Sequence, residues 1–317
     1  MTRDWLERPE GGNTIALRLL AAIALGLGRT VSRLILLPIT AYFLARRGPE
    51  RRASRAYLSR VLGRPPSWLE VGRHVFTFAA ATLDRVYFLT GSLDRFEIRL
   101  IGIEELHRAM ELGRGVLLVG AHVGSFDALR AMSTLRPDVT VRVVLDAAHS
   151  PALSGILKQL NPHAADGIIN PRQDGTSVAL EIGAALSSNA LVTMLADRGR
   201  PGNRTARVDF LGAPADFPTA PWQIAAALKV PVVLCAGLYR GGNRYDLHFE
   251  VIAEQLHIDR RQRQESLQAV VQAFADRLAQ LVRLAPYNWF NFYDFWQEPV
   301  PDVSTAHVRG DPTHERD

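Results

Sequence analysis

The sequence predicts an α/β fold whose central sheet is mostly parallel and flanked by helices. From residue 96 onward, short apolar runs rich in β-branched side chains alternate with stretches of helical periodicity, which is the pattern of strand–helix–strand units. The composition, 47% hydrophobic and 22% charged over 317 residues, allows a sizeable core and argues against general disorder. An apolar, helical amino-terminal segment, which we expect to associate with a membrane, precedes this domain.

Residues 15–45 form the apolar amino-terminal segment, which Arg18, Arg29 and Arg33 interrupt. No charge-free run reaches the ~18–20 residues of a clean membrane span, and we expect Pro38 to bend or end a helix. One interpretation is a helix or hairpin in the bilayer surface, with its arginines reaching anionic headgroups. The other is a pair of buried helices in a soluble fold. A basic cluster favours membrane contact without a full span: Arg46, Arg47, Arg51, Arg52 and Arg55.

The remaining elements follow from periodicity and turn chemistry. Residues 54–90 are predicted to be helical, with Pro65 and Pro66 at a helix start. The strand candidates begin at Phe96, Gly115, Thr140, Ala190, Ala206, Pro231 and Arg244. Helix candidates between them cover residues 125–135, 176–187 and 220–228.

The carboxyl end of the domain combines an amphipathic helix with an aromatic run. One apolar stripe extends over residues 267–282, and residues 288–296 follow as NWFNFYDFW. We predict a membrane-associated segment at 1–53, a catalytic domain at 54–298 and a disordered, polar tail at 299–317.

Charge and cysteine content limit the classes of partner. Cys235 is the only cysteine, which excludes an internal disulfide framework and a cysteine-rich zinc site, and the histidines lack metal-ligand spacing. We therefore predict no metal and a reducing, cytoplasmic environment. The net charge of +5 comes almost entirely from arginine, which suits phosphate or carboxylate partners. The arginines are dispersed and no nucleic-acid-binding module is recognised, so nucleic acid is not an expected partner.

A histidine and an aspartate flank a predicted strand-to-helix turn in residues 116–130, VLLVGAHVGSFDALR. His122 would end the strand, Gly124 and Ser125 would make the turn and the helix cap, and Asp127 would lie in the first helical turn. A carboxylate bonded to one imidazole nitrogen fixes the tautomer and leaves the other nitrogen as a general base. The alternative interpretation is a helix cap beside a histidine with no catalytic role.

A second polar cluster occupies the loop and hairpin that begin at residue 196. Arginines in a Gly- and Pro-bearing loop can clamp phosphate or carboxylate, and the alternative is a solvated basic hairpin. The candidate substrate-binding residues are Ser125 at the helix start and Arg198, Arg200, Arg204 and Arg207 in this loop.

The order of these blocks resembles the lysophospholipid acyltransferase superfamily. His122 and Asp127 follow a GVLL-type strand, the Asp197-Arg198 loop comes next, and then VDFLGAPADFPTAPWQIAAALKVPVV. The branch that is most similar is that of the lipid A biosynthesis (lauroyl/myristoyl) acyltransferases, over roughly residues 15–297. The FPTAP segment departs from the glycine expected in many relatives, and the amino-terminal half is more similar to a side branch found with polyene-pigment and fatty-acid-like biosynthetic genes.

The resemblance implies a function and a place for it. His122 would be the general base, Asp127 its orienting partner, and the loop arginines would contact the acceptor or a phosphate. The family uses acyl thioesters, on acyl carrier protein or coenzyme A, as co-substrates without a bound cofactor, at the cytoplasmic face of the bacterial inner membrane. We thus expect acyl transfer to a hydroxyl or amine of a membrane lipid or lipid A-like acceptor.

Two other functions remain open at this stage. The same His122–Asp127 pair could activate water, which would make the protein an acyl-thioester hydrolase. A degenerate site would instead leave a non-catalytic protein that binds the membrane surface.

Overall fold

A computed structural model describes residues 14–133, 139–146, 167–199 and 202–296. Its helices are α1 (Thr14–Arg46), α2 (Gly48–Leu62), α3 (Trp68–Leu89), α4 (Ile103–Glu111), α5 (Phe126–Ser133), α6 (Gly175–Ser187), α7 (Ala220–Leu228) and α8 (Arg263–Leu284). Its strands are β1 (Glu97–Ile101), β2 (Val116–Gly120), β3 (Val141–Val144), β4 (Ile168–Ile169), β5 (Leu191–Leu195), β6 (Thr205–Asp209), β7 (Pro214–Pro218), β8 (Val232–Gly241) and β9 (Arg244–Ala253).

Seven of these strands form one sheet in the order β1-β9-β8-β2-β5-β3-β4. Neighbouring strands are parallel except β8 and β9, which pair as an antiparallel hairpin, so the predicted fold class is confirmed. Strands β6 and β7 form a separate antiparallel hairpin. The sequence did not predict β7, because prolines at both of its ends argue against a strand, but a two-stranded edge tolerates them.

Side chains of the sheet alternate between two apolar layers. On β2, Leu117 and Val119 face the layer that contains Val271 and Phe274 of α8. Val116 and Leu118 face the opposite layer, which α4 completes with its own apolar residues. Because helices cover both faces at the centre of the sheet, β2 is apolar and buried along its whole length, as expected for a parallel sheet.

Helix α1 is fixed to the domain by a buried ion pair. Arg29 donates two hydrogen bonds of 2.7 Å to the carboxylate of Asp84 on α3, and the hydroxyl of Tyr245 donates to the same carboxylate at 2.9 Å. The helix continues through Pro38 to Arg46, so Pro38 does not end it, and a bend at Pro38 stays a prediction. The helical dihedrals are interrupted at Gly28 instead, where a φ of 83° is accessible to glycine.

The opposite face of α1 is apolar and exposed. Within the described residues, one helical stretch, Ala21–Arg46, is long and apolar enough to cross a membrane, with a mean hydropathy of 1.5. Its exposed apolar side chains include Leu25, Leu27, Leu34, Leu37 and Tyr42.

Helices α2 and α3 together occupy the predicted helical region, with Pro65 and Pro66 in the turn between them. Ser67 caps α3 through a capping box with Glu70. The predicted boundary between residues 53 and 54 falls within α2, and the predicted tail at 299–317 lies outside the described residues.

A buried histidine joins α2, α3 and the aromatic run near the carboxyl end. The Nδ1 atom of His74 lies 2.8 Å from the hydroxyl of Ser54, and its Nε2 atom lies 2.9 Å from the carbonyl oxygen of Trp289. Burial lowers the pKa of His74 from 6.5 to about 4, although the hydrogen bond to Trp289 opposes this. The folded protein therefore keeps this imidazole neutral at pH 5 to 8.

We predict that His74 makes the folded state sensitive to mild acid. Between pH 6.5 and pH 4 the unfolded chain binds a proton at His74 that the folded chain does not. The free energy of unfolding should therefore fall with acidification by about 1.4 kcal/mol per pH unit from this group. Replacement His74→Gln should reduce the dependence of the melting temperature on pH in this window. The exposed His107→Gln variant is the control, and equal pH dependence in all three proteins would contradict the prediction.

Candidate active site

Two neighbouring parallel strands end in residues that can carry out acid–base chemistry. Gly120, the last residue of β2, pairs with Leu195, the last residue of β5. His122 and Asp197 each follow two residues later, and the amide of Ala196 donates to the carbonyl oxygen of Gly120 at 2.8 Å. Equal offsets from paired strand ends bring these two side chains together at the carboxyl edge of the sheet, where open α/β sheets bind ligands.

The imidazole of His122 is held by the carboxylate of Asp197. The distance from Nδ1 to Oδ1 is 2.8 Å, and the backbone amide of His122 donates to Oδ2 at 3.1 Å. The indole Nε1 of Trp289 donates to the same Oδ2 at 3.1 Å. Because an ionised carboxylate only accepts, Nδ1 carries the hydrogen and Nε2 keeps its lone pair.

Asp197 stays ionised although it is fully buried. Burial alone raises the pKa of its carboxyl group, but the neighbouring His122 and Arg198 together lower that pKa well below its usual range. The Nε atom of Arg198 lies 3.8 Å from Oδ2 of Asp197. A permanent negative charge beside Nδ1 favours protonation of the imidazole.

The aromatic run folds back over the His122 segment. The amide of Phe290 donates to the carbonyl oxygen of His122 at 2.8 Å, and the amide of Gly124 donates to that of Asn288 at 2.8 Å. The side-chain amide of Asn288 in turn accepts a hydrogen bond from the backbone amide of Tyr239 on β8 and donates one to the carbonyl oxygen of the same residue. The aromatic run therefore fixes the backbone on which the histidine sits.

The turn after His122 has the chemistry that the sequence predicted. Gly124 has a φ of 63°, and a Cβ atom there would lie 1.9 Å from the carbonyl oxygen of Gly237. The hydroxyl of Ser125 accepts from the amide of Ala128 at 3.2 Å and so caps α5. Ser125 also lines the pocket around His122, and its contact with substrate stays a prediction.

Asp127 lies in the first turn of α5, as predicted, but its carboxylate forms an ion pair with Arg85. The Nε atom of Arg85 on α3 lies 2.5 Å from Oδ2 of Asp127. The hydrogen bond to Nδ1 of His122, which the sequence assigned to Asp127, is made by Asp197. Arg85 attracts the carboxylate of Asp127, whereas the end of β5 places Asp197 beside the imidazole. A catalytic role of Asp127 stays a prediction.

A pocket of about 550 Å³ surrounds the imidazole. His122, Ser125 and Asp127 form part of its wall, opposite aromatic side chains of the run near the carboxyl end, and the His122 side chain is 36% exposed. Two cations, Arg85 and Arg198, also line it. Among the described residues, no group of three or more potential ligands is arranged to hold a metal ion.

The four predicted arginines have different positions. Arg198 lines the pocket, donates to the carbonyl oxygen of Phe290 at 2.7 Å and stacks over the ring of Tyr293. Arg207 lies on β6, and its Nη1 atom is 3.9 Å from Oδ2 of Asp216 on β7. Arg204 is an exposed residue just before β6. Neither is among the residues that line the pocket. Arg200 lies outside the described residues.

A second cavity, of about 330 Å³, lies beneath α5 on the α4 side of the sheet. Its wall is mostly aliphatic and includes Leu118, Leu191 and Met110. Phe126 and Thr193 line both this cavity and the His122 pocket, so the two spaces are neighbours.

Three residues of the site were not assigned from the sequence: Asp197 as the partner of His122, Trp289 as a donor to Asp197, and Arg85 as the partner of Asp127. A signal existed for Asp197, because it lies as far from the start of its predicted strand at Ala190 as His122 lies from the start of its own at Gly115. The use of that signal requires the strand order. No local pattern in the sequence marks Trp289 or Arg85.

One comparison with known proteins identifies the family of this chain. The family model of the bacterial lipid A biosynthesis acyltransferases matches residues 27–298, a range that includes His122, Asp127 and Asp197. A search of curated proteins found no match. Because the match covers most of the chain, the resemblance seen in the sequence is confirmed: this acyltransferase belongs to the bacterial lipid A biosynthesis acyltransferase family.

Proposed function

We propose that this acyltransferase moves a fatty acyl group from acyl carrier protein or coenzyme A to a hydroxyl or amine of a membrane lipid or lipid A-like acceptor. We further propose that it works at the cytoplasmic face of the bacterial inner membrane. The family is membrane-associated and acts with an acyl donor and a lipid acceptor. The main support for the chemistry is the imidazole of His122, held at Nδ1 by the buried Asp197 and open to a pocket.

The reaction starts with proton transfer to Nε2 of His122. This nitrogen takes the proton of the acceptor hydroxyl or amine as the acceptor oxygen or nitrogen attacks the thioester carbonyl carbon. The new carbon–oxygen or carbon–nitrogen bond gives a tetrahedral oxyanion. When the oxyanion collapses, the carbon–sulfur bond breaks, and the imidazolium returns its proton to the leaving thiolate. Asp197 stabilises the imidazolium between these two steps.

Positive charge near His122 suits the developing oxyanion. The amino end of α5 carries the positive end of its helix dipole, and Arg198 lies at the pocket wall next to Asp197. Both groups are held in place before substrate arrives, so little reorganisation is needed in the transition state. Contacts of Arg200, Arg204 and Arg207 with the acceptor belong to the same proposal.

The aliphatic cavity beneath α5 has the chemistry of an acyl-chain site. It neighbours the His122 pocket through Phe126 and Thr193, so a thioester carbonyl at His122 would direct its hydrocarbon chain into this space. Deeper along β5, Leu191 continues the same wall. Burial of each methylene there contributes about 0.8 kcal/mol of binding free energy.

The fixed position of Arg29 favours a surface orientation of α1 over a membrane span. Arg29 and Arg33 both contact the β8–β9 turn at Gly242, and Arg29 also binds the buried Asp84. A span would carry these two arginines and the attached domain into the hydrocarbon layer. With α1 in the bilayer surface, its exposed leucines enter one leaflet while the arginines stay with the protein.

Substitutions of the three acidic and basic site residues test the chemistry. His122→Ala should lower kcat by about 100- to 10,000-fold, because the general base is lost. Asp197→Asn should lower kcat at least ~100-fold, since the amide no longer stabilises the imidazolium. Asp127→Asn should have a smaller effect than Asp197→Asn. The assay follows labelled acyl thioester into extracted membrane lipid.

Two results of this assay would contradict the proposal. A larger loss in Asp127→Asn than in Asp197→Asn would assign the orienting role to Asp127. Release of free fatty acid at the same rate with and without lipid would indicate a hydrolase.

Substitution Met110→Trp tests the acyl-chain cavity. Met110 is a partly exposed residue of α4 that lines the cavity, so the indole can fill the space at moderate cost to the fold. The ratio of kcat/KM for long over short acyl donors should fall by roughly ten-fold or more. The control is Leu112→Trp, just past the end of α4 and outside the cavity lining. An unchanged ratio in Met110→Trp would place the chain elsewhere.

Cysteine labelling tests the orientation of α1. The only native cysteine, Cys235, is buried, so Thr14→Cys and Gly48→Cys report on the two ends of the helix. An impermeant maleimide should label neither position in intact spheroplasts and both after lysis, because a helix in the cytoplasmic leaflet has both ends on one side. Labelling of a single end in intact spheroplasts would show a span.

A further inference from the structure

A third cavity, of about 190 Å³, lies where α1, α2 and α3 meet, and nothing in the proposed function uses it. We call it the α1–α2 vestibule, and it is lined by Phe43, Leu44, Arg47, Glu50, Arg51, Val75, Phe78 and Phe292. Glu50, Phe78 and Phe292 also line the His122 pocket. The vestibule is therefore a direct neighbour of the His122 pocket.

The vestibule combines cations with apolar walls. The guanidinium of Arg47 stacks over the ring of Phe43, and its Nη1 atom lies 3.3 Å from Oε1 of Glu50. The side chain of Arg47 is 33% exposed. Arg51 donates to the carbonyl oxygen of Leu44 and stacks over the ring of Trp68. A guanidinium has five donors, so these contacts leave hydrogen-bonding capacity for an anion.

Exposed apolar side chains lie on two helices that line the vestibule, α1 and α3. On α1, the turns before Phe43 expose Leu37 and Tyr42, and at the start of α3, Trp68 and Leu69 are 58% and 86% exposed. No described part of the chain covers these side chains. Two arginines and one glutamate leave the cavity with a net positive charge, which, together with exposed apolar side chains on the lining helices, suits an amphiphile with an acidic headgroup.

The vestibule and the acyl-chain cavity adjoin different walls of the His122 pocket. The acyl-chain cavity shares Phe126 and Thr193 with the pocket, whereas the vestibule shares Glu50, Phe78 and Phe292. A donor chain and a lipid acceptor can thus approach the same imidazole without competing for one space.

We propose that the α1–α2 vestibule admits the lipid acceptor from the membrane and binds an acidic group of that lipid, a phosphate or a carboxylate, through Arg47 and Arg51. This inference rests on the proposed function, since it names the route and the charge class of the acceptor. It assigns Arg47 and Arg51 a specificity role distinct from that of Arg198 beside Asp197.

Protection of an engineered cysteine tests the inference without catalysis. Val75 lines the vestibule, and Val75→Cys is close in size. Native Cys235 is buried, and burial raises the pKa of its thiol to about 12, which keeps it unreactive. Decyl phosphate below its micellar concentration should slow modification of the new cysteine by a small methanethiosulfonate at least five-fold. Decanol at the same concentration should slow it much less.

Charge variants within Val75→Cys separate the vestibule from general electrostatics. Arg47→Gln should abolish protection by decyl phosphate, and Arg47→Lys should keep most of it. Arg52→Gln is the matched control, because Arg52 is exposed on α2, the helix that begins just after Arg47, and does not line the vestibule. The helical circular dichroism of each variant should match that of the parent, which confirms that the variant is folded.

Three outcomes would overturn the inference. They are equal protection by decanol, equal loss of protection in Arg52→Gln, and protection by coenzyme A but not by decyl phosphate, which would assign the vestibule to the donor. Because the measurement needs no acyl transfer, its failure leaves the catalytic proposal intact. Conversely, full acyl transfer by His122→Ala would refute the catalytic proposal and leave the protection result standing.

Discussion

The hydrogen bond between Nδ1 of His122 and Asp197 is the interaction on which the site depends. It exists because β2 and β5 are parallel neighbours whose last residues are paired, and because each side chain follows its strand by the same number of residues. A shift of one residue in either strand would turn one of the two side chains to the opposite face. The register of the central sheet therefore sets the tautomer of the imidazole.

The aromatic run near the carboxyl end makes this arrangement rigid. Trp289 donates its indole hydrogen to Asp197, and its own carbonyl oxygen is bonded by His74 of α3. Asn288 ties the same segment to β8. Segments far apart in the chain thus support one carboxylate, which fits a site that must hold its geometry before substrate binds.

Local patterns explain which features were predictable. The strand candidates, the Gly124–Ser125 turn and the family resemblance follow from periodicity, turn chemistry and motif order, and the structure or the family match confirms them. The pairing of His122 with Asp197 depends on which strands are neighbours, and a single sequence does not contain that information. The continuation of α1 through Pro38 likewise depends on tertiary packing, which a single sequence does not show. Helix α1 packs against α3 and is bonded to it through Arg29 and Asp84, and this packing outweighs the local preference of proline.

The most direct test is the tautomer of His122 in the resting enzyme. Nitrogen-15 NMR of histidine-labelled protein should show hydrogen on Nδ1 and a bare Nε2 in the neutral imidazole of His122. That preference should weaken in Asp197→Asn and persist in Asp127→Asn. A hydrogen on Nε2 in the parent protein, or a tautomer that changes with Asp127 and not with Asp197, would contradict the assignment of Asp197 as the orienting carboxylate.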